Sequence, residues 1–361
     1  MITLPGVDPI YMWIGFILLV FIMLAMDLGI FHRKTHAVSI KEALTWAGVW
    51  FSLAMVFNIW IYFQFGSEPA LNFFTGYLIE KSLSVDNLFV FLLIFTSFSI
   101  SPQYQHRILF WGILGAIIMR GLFIGVGSAL VERFEWVFYI FGVVLLYGAY
   151  RMQFNEDKKF NPETSKIVRI VRWIIPVSHQ VDGAHFIVKE NGKRAITITL
   201  LALIVIELTD VVFAFDSIPA IFAITTDPFI VFTSNIFAIL GLRSLYFVLA
   251  DVQGMFEYLK TGLAVILLFI AIKLLIRAFY HIPIVVSLIF IVSVLIISIF
   301  ASILHHKRRS HREAVHDGKT SSYKPLPPVH NANLSSKRTP HPILTQGIAK
   351  SVKKTTKKKK Q

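Results

Sequence analysis

The chain has 361 residues, of which 55% are hydrophobic and 16% charged, and its mean hydropathy is +0.67. This composition excludes an ordinary soluble domain and places the chain among membrane proteins. The absence of cysteine excludes disulfide bonds and thiolate metal ligands, and the formal net charge of +14 raises the question of an acidic partner.

Long apolar runs recur along residues 1–304, and each is long enough to cross a hydrocarbon core about 30 Å thick as a helix. A β-barrel is disfavoured because its spans are short and alternate apolar with polar residues. No cleavable signal is evident around the first run, so we interpret it as a permanent span. The sequence therefore predicts an all-α polytopic membrane protein with nine transmembrane helices, at 10–31, 42–64, 72–98, 107–128, 131–150, 195–224, 229–250, 258–280 and 283–304.

Basic residues are distributed unequally between the two sides of these predicted spans. With the amino terminus outside, the inner segments hold 29 Lys and Arg residues and the outer loops hold one, Arg133. Because basic residues stay on the cytoplasmic side during insertion, we predict an outer amino terminus and a cytoplasmic carboxyl terminus, and no nucleic-acid partner. The Lys-rich tail, residues 305–361, is predicted to be disordered. Its charge favours contact with anionic lipid over contact with a protein or RNA.

The third and sixth predicted spans differ from the others because they carry acidic residues at depth. The segment "IEKSLSVDNLFVF" holds Glu80 and Asp86, and "IELTDVVFAFDSIPAIFAI" holds Glu207, Asp210 and Asp216. Alignment of Asp86 with Asp216 places Glu80 opposite Asp210. Since the two spans run in opposite directions, we predict that spans 1–3 and 4–6 form an inverted repeat, a layout that places binding sites at the midplane. The alternative is that two acidic helices arose without a repeat.

Acidic residues at this depth require an explanation, since each costs roughly 2.5–3.5 kcal/mol on insertion scales. One explanation is structural: the acids pair with the deep bases, which are Lys81, Arg120, Arg243 and Lys273. Arg120 and Arg243 lie nearest the centres of their spans and are the best candidates. The other explanation is a cation site. Pro219 is compatible with both explanations. It predicts a bend or an unwound turn beside Asp216, and such a turn can line a polar cavity or can serve helix packing alone.

The polar groups at depth restrict the kind of cation. All twelve histidines fall in predicted loops or at helix ends, and the deep polar groups beside the carboxylates are Asn87, Ser217 and Asn235. A set of oxygen ligands suits Mg²⁺, Ca²⁺ and Mn²⁺ and argues against zinc or copper. Because carboxylates also bind protons, such a site can exchange a divalent ion for protons.

Three segments resemble the TerC family of bacterial integral membrane proteins: "EKSLSVDNLFVF" at 80–91, "ELTDVVFAFDSIPAIFAIT" at 207–225 and "TSNIFAILGLRSLYF" at 233–247. The likeness covers about residues 8 to 300. The family is named for tellurite resistance, but its members are linked mainly to manganese export and metal homeostasis. The resemblance implies a manganese exporter whose metal-binding acids are Glu80, Asp86, Glu207, Asp210 and Asp216, with supporting polar or ion-pairing roles for Asp27, Asn87, Arg120, Asn235 and Arg243.

These observations lead to one hypothesis and two alternatives. The hypothesis is a secondary transporter of the bacterial cytoplasmic membrane, residues 1–304, which exports Mn²⁺ in exchange for protons and holds no permanently bound cofactor. The first alternative is a membrane scaffold that recruits partners through its tail or the loop at 151–194. The second is a protein acting on tellurium oxyanions, which the acid-rich core disfavours because anion sites need basic groups and helix amino termini. We predict no enzymatic activity, since no pairing of nucleophile and base stands out.

Overall fold

The computed structural model describes residues 2, 4, 8–31, 40–154, 165–178, 185–190, 193–251 and 258–320. Most of these residues are helical. Eleven helices and one two-stranded hairpin follow each other in the order α1 (Pro9–Phe31), α2 (Ile40–Phe65), α3 (Ser67–Ser97), α4 (Pro102–Arg133), α5 (Val137–Phe154), α6 (Lys166–Ile174), β1 (Ile187–Glu190), β2 (Lys193–Ile196), α7 (Ile198–Phe222), α8 (Pro228–Leu240), α9 (Leu242–Asp251), α10 (Leu259–Leu275) and α11 (Ile284–Thr320).

Six of the described helices are long and apolar enough to cross a membrane: α1, α2, α4, α5, α7 and α11. The count rises to seven if α8 and α9, which meet at a bend of 41°, form one span. Helices also cover the predicted spans at 72–98 and 258–280, but α3 carries several charges and α10 has 17 residues. The structure therefore describes a polytopic all-α membrane protein. The prediction of nine spans, and with it the inverted repeat, is not confirmed.

The chain divides into two units, residues 1–311 and 312–361. Helix α11 continues to Thr320, past the predicted domain boundary at residue 304. This differs from the predicted disorder of residues 305–320, where Lys, Arg, Ala and Glu favour continuation of the helix. Residues 321–361, with the Lys-rich end of the tail, lie outside the described residues.

The predicted inner loop at 151–194 contains local structure that the sequence did not indicate. Strands β1 and β2 pair antiparallel, with Ile187 opposite Ile196 and Glu190 opposite Lys193. The hairpin leads directly into α7, whose N-cap is Thr197. The Thr197 hydroxyl accepts a hydrogen bond from the backbone N–H of Leu200, which satisfies one of the free donors at this helix start.

Two apolar clusters surround a central layer of α3, α4 and α7. One cluster joins α1, α2, α8 and α9 to one side of that layer. The other joins α5 and α10 to the carboxyl-terminal half of α7. Helix α3 packs against α2, α7, α8 and α9, and α4 packs closely on α7. The charged side chains of the third predicted span therefore face protein rather than lipid.

Helix α7 is continuous where a break was expected. It runs as α-helix from Ile198 to Phe222 with Pro219 inside it, so the unwound turn predicted beside Asp216 is not seen. Pro219 lies only one turn before the helix ends. Its missing backbone N–H and its ring act on the carbonyl of Phe215, beside Asp216, and the helix accommodates them without a break.

The break falls instead at Gly241, between α8 and α9. The Lys81 ammonium group of α3 donates a hydrogen bond of 3.1 Å to the backbone carbonyl of Ala238, in the last turn of α8. Carbonyls of a last helical turn have no partner within the helix, and a cation at this end also interacts favourably with the helix dipole. Gly241 leaves room for this contact, because a Cβ there would lie 2.6 Å from Lys81 Nζ and 3.2 Å from Trp50 Cβ.

Replacing Gly241 by alanine is expected to lower the free energy of unfolding by about 1–2 kcal/mol, since the new methyl group displaces Lys81 and presses on Trp50. Chemical unfolding of the protein in detergent measures this change. The matched control is Gly48→Ala in α2, where a Cβ meets no atom within 4 Å and stability stays equal or rises by up to ~1 kcal/mol. Equal losses in both variants would show that the bend does not depend on this close approach.

Candidate cation site

A fully buried arginine lies at the centre of the candidate site. Arg120 of α4 donates from Nε and Nη2 to the two carboxylate oxygens of Asp210 on α7, at 3.2 and 3.0 Å. Its Nη1 donates to Glu80 of α3 and, at 3.2 Å, to the side-chain carbonyl of Asn235 on α8. Asn235 Nδ2 in turn donates to the second oxygen of Glu80 at 3.2 Å. We call these four residues the Arg120 cluster.

The local packing explains why these side chains meet. Helices α3 and α8 approach closely at Gly76, where a Cβ would lie 2.9 Å from the hydroxyl of Ser234, the neighbour of Asn235. Helix α4 packs along α7 and so brings Arg120 to Asp210. Arg120, Glu80 and Asn235 are each 0% exposed. The cluster is therefore shielded from both water and lipid.

The Arg120 cluster holds two carboxyl groups and one guanidinium. With both carboxyl groups ionised, one negative charge is in excess. In a low-dielectric interior such a charge interacts strongly with any cation that reaches it. The oxygens of Glu80, Asp210 and Asn235 are also the ligand type that hard divalent ions prefer. An ionised cluster of this kind would attract a cation.

A second pair of acids lies further along the same two helices. Asp86 of α3 and Arg151 of α5 both act electrostatically on Asp216 of α7. Asp216 packs against Gly148 of α5, where a Cβ would lie 2.8 Å from its Oδ1. Asp86 and Asp216 are each six residues beyond the cluster's acids, or about 9 Å along the helix axis. We call Asp86 and Asp216 the second acid pair.

Glu207 occupies a third position. Its carboxylate packs against α4 beside Gly112 and fills the space that a Cβ at Gly115 would take. Its Oε1 is buried and finds no hydrogen-bond partner among the described residues. Asp210, one turn further along α7, acts on it electrostatically. Glu207 is therefore a neighbour of the Arg120 cluster and does not contact Arg120.

The remaining predicted polar residues hold other parts of the bundle together. Arg243 of α9 donates from Nη1 to Asp27 of α1 at 2.8 Å, and both side chains are buried. Both arginines that the sequence favoured for ion pairing are paired. Arg120 meets two of the five predicted metal-binding acids, whereas the partner of Arg243 is Asp27 of the first span, which lies outside those five. Of the other deep bases, Lys273 donates to the hydroxyl of Ser287 at 3.1 Å. Asn87 is buried within α3.

The five predicted metal-binding acids therefore fall into three places, and they do not form one site. Among the residues that the structure describes, no group of three or more histidine, aspartate or glutamate side chains is placed to hold a metal ion. Metal binding by these acids remains a prediction. The glycines at 112, 115 and 148, which make room for the carboxylates, were not recognised from the sequence. Small residues are typical of close helix contacts in membranes, and the nearby glycines at 112 and 115 of one apolar helix were the available signal.

The helices and the buried charges define a polytopic membrane protein with a polar centre. The chain belongs to the integral membrane protein TerC family, whose profile matches residues 65–310. It is 51% identical over 302 residues to the "Uncharacterized membrane protein STKORF319" of Myxococcus xanthus, covering 84% of this chain and 95% of that protein. It is 47% identical over 311 residues to the "Putative membrane-bound redox modulator Alx" of Escherichia coli K12, covering 82% and 97% of the two chains.

A membrane protein of Rickettsia bellii, described as uncharacterized, is 41% identical over 292 residues, which cover 81% of this chain and 97% of that protein. These relatives match nearly their whole length, and the family profile itself covers the chain from the end of α2 to residue 310. No solved structure matches the chain.

Proposed function

We propose that this protein is a secondary transporter that exports Mn²⁺ across the bacterial cytoplasmic membrane in exchange for protons. The observation that carries the proposal is the Arg120 cluster, where acids from α3 and α7 and an amide from α8 converge out of contact with water. Intramembrane acids gathered in this way mark ion pathways in transporters. A protein that served only as a scaffold would have no need of the excess negative charge.

The ligand chemistry supports a divalent ion as the transported substrate. Carboxylate and amide oxygens favour Mn²⁺ over softer ions, and this sequence has no cysteine to favour zinc or copper. The same carboxylates can take up protons when the metal leaves, so a proton gradient can drive the metal outward. The choice of manganese and of export comes from the family resemblance.

The two groups of acids support a stepwise route for the ion. The alignment that pairs Glu80 with Asp210 also pairs Asp86 with Asp216. Glu80 and Asp210 both contact Arg120, and Asp86 acts electrostatically on Asp216. We infer that the ion passes between the Arg120 cluster and the second acid pair as the bundle opens first to one side and then to the other. An inverted repeat of three helices gives such alternating access by rocking of one half against the other.

The topology completes the proposal. Export requires a defined orientation, and the excess of Lys and Arg in the predicted inner segments supports a cytoplasmic carboxyl terminus. The relatives named above are bacterial, which supports the cytoplasmic membrane as the location. The Lys-rich end of the chain would then face anionic lipid headgroups on the cytoplasmic side.

Flux of Mn²⁺ in proteoliposomes, with the internal pH recorded, tests this function. The intact protein is expected to move Mn²⁺ and to move protons the opposite way. Glu80→Gln and Asp210→Asn are each expected to reduce the flux at least about a hundredfold, because each removes a ligand charge from a buried site. Glu68→Gln, at the exposed start of α3, is the matched control and should leave the flux unchanged. Absence of flux in the intact protein would contradict the proposal.

Deletion of residues 310–361 separates the transporter from the scaffold. A transporter keeps its Mn²⁺ flux when the tail is deleted. A scaffold instead loses its cellular phenotype when the tail is deleted, and it retains that phenotype in Asp210→Asn. The name of the Escherichia coli relative speaks of redox modulation. Since this sequence has no cysteine, we infer that a redox effect here would come from the metal that is moved and not from a thiol of the protein.

A further inference from the structure

The guanidinium of Arg120 lies where a cation between Glu80 and Asp210 would lie. We propose that Arg120 is a tethered cation: it occupies the two carboxylates when no metal is bound, and it moves to Glu207 when Mn²⁺ takes its place. This inference rests on the proposed transport function and assigns a part in it to a residue that is not itself a metal ligand.

The first support is that one ligand set serves both cations. Arg120 engages both oxygens of Asp210, one oxygen of Glu80 and the side-chain carbonyl of Asn235. Those oxygens are the ones that a hard divalent ion would bind. An arginine and a divalent ion at the same carboxylates repel each other strongly in a buried setting, so occupation by one requires departure of the other.

The second support is the charge of the unloaded site. Two buried carboxylates without a cation are costly, and the penalty for each ion is several kcal/mol. A transporter that exchanges metal for protons must pass through states without metal. Arg120 reduces the net negative charge of the metal-free site. Because it is part of the protein, it stays with the site while the metal-free protein changes conformation.

The third support is an acceptor within reach. The Glu207 carboxylate fills the space beside Gly115, five residues before Arg120 on α4, and its Oε1 has no hydrogen-bond partner among the described residues. Side chains on an α-helix lean toward its amino terminus, which is the direction from Arg120 to Gly115. Glu207 also lies three residues, or about one turn, before Asp210 on α7, and Arg120 already contacts Asp210. A guanidinium displaced from Asp210 would therefore have a second carboxylate on the neighbouring turn of the same helix.

The test measures the Mn²⁺ concentration that half-saturates Mn²⁺ exchange in proteoliposomes loaded with Mn²⁺ on both sides. Because Arg120 competes with the metal, Arg120→Gln is expected to lower that concentration about tenfold. Arg120→Lys keeps the charge but loses the bidentate contact to Asp210, so its half-saturating concentration should lie between those of the intact protein and Arg120→Gln. A merely structural Arg120 predicts weaker Mn²⁺ binding in Arg120→Gln, and that result would overturn the inference. Arg243→Gln, which removes the other buried arginine, is the matched control and should not tighten Mn²⁺ binding.

Glu207→Gln supplies an independent arm, which also decides the question if Arg120→Gln does not fold. Glu207 accepts the displaced Arg120 and so helps the metal to compete for Glu80 and Asp210. In a protein that retains Arg120, Glu207→Gln should therefore raise the half-saturating Mn²⁺ concentration about fivefold. In Arg120→Lys, whose amine is shorter and lacks the planar fork, the effect of Glu207→Gln should shrink. An equal effect in both backgrounds would identify Glu207 as a direct ligand and overturn its role as acceptor. Absence of exchange in the intact protein would instead overturn the proposed function itself.

Discussion

Replacing Asp27 by leucine is expected to lower the free energy of unfolding by about 3–5 kcal/mol, because it leaves the buried Arg243 guanidinium without the carboxylate that it contacts. Arg243 is 1% exposed and its Nη1 lies 2.8 Å from Asp27 Oδ2. The pair connects α1 to α9, two helices that are distant in sequence. Chemical unfolding of the protein in detergent measures the change.

The double variant Asp27→Leu/Arg243→Met is the control for this pair. Replacing both charges by apolar side chains of similar size removes the uncompensated charge, so most of the loss should be recovered. If the double variant were as unstable as Asp27→Leu, the cost would come from packing at position 27 and not from the ion pair. The coupling energy is the difference between the summed losses of the two single variants and the loss of the double variant. We expect it to be larger than the loss of the double variant itself.

Replacing Gly142 by alanine is expected to destabilise the protein by about 1–3 kcal/mol, because it forces α5 and α10 apart. A Cβ at Gly142 would lie 2.8 Å from Leu275 Cγ, 2.9 Å from Leu275 Cδ2 and 3.3 Å from the backbone oxygen of Ala271. The branched carbon of leucine and a backbone atom cannot swing away as the tip of a flexible side chain can. Small residues at such contacts let helices in membranes approach closely.

The matched control for Gly142→Ala is Gly125→Ala. Gly125 lies in α4, and a Cβ there meets no atom within 4 Å. This substitution should leave the free energy of unfolding unchanged or raise it by up to ~1 kcal/mol, as expected from helix propensity alone. Thermal and chemical unfolding in the same detergent compare the two. Similar losses in both variants would show that the α5–α10 contact does not depend on the glycine.

The long helices could be predicted from the sequence because long apolar runs are sufficient to indicate membrane-spanning helices. The order of the helices followed from the apolar runs, and the depth of Arg120 marked it as a candidate partner of the buried acids. That Glu80 and Asp210 are the two acids it meets was not predicted. Asn235 was also recognised, because an amide at this depth has few uses outside a polar site. These features depend on residue type and on position within a span, which a sequence displays directly.

Features that depend on how helices pack could not be predicted in this way. Pro219 suggested a break in α7, yet the helix stays continuous and the break lies at Gly241, where Lys81 of another helix holds the end of α8. Glycine is common in membrane helices, so nothing in its sequence position set Gly241 apart. Likewise, the separation of Glu207 from Asp210 depends on space left by Gly115 of α4, and the sequence does not show that these two residues are neighbours.

Binding of Mn²⁺ to the purified protein, followed by the loss of the electron paramagnetic resonance signal of free aqueous Mn²⁺, tests the central claim most directly. If the Arg120 cluster takes the metal, the intact protein binds Mn²⁺ stoichiometrically. Folded Glu80→Gln and Asp210→Asn then each lose that binding, while Glu68→Gln retains it. Equal binding in all four proteins, or no binding in the intact one, would contradict the account.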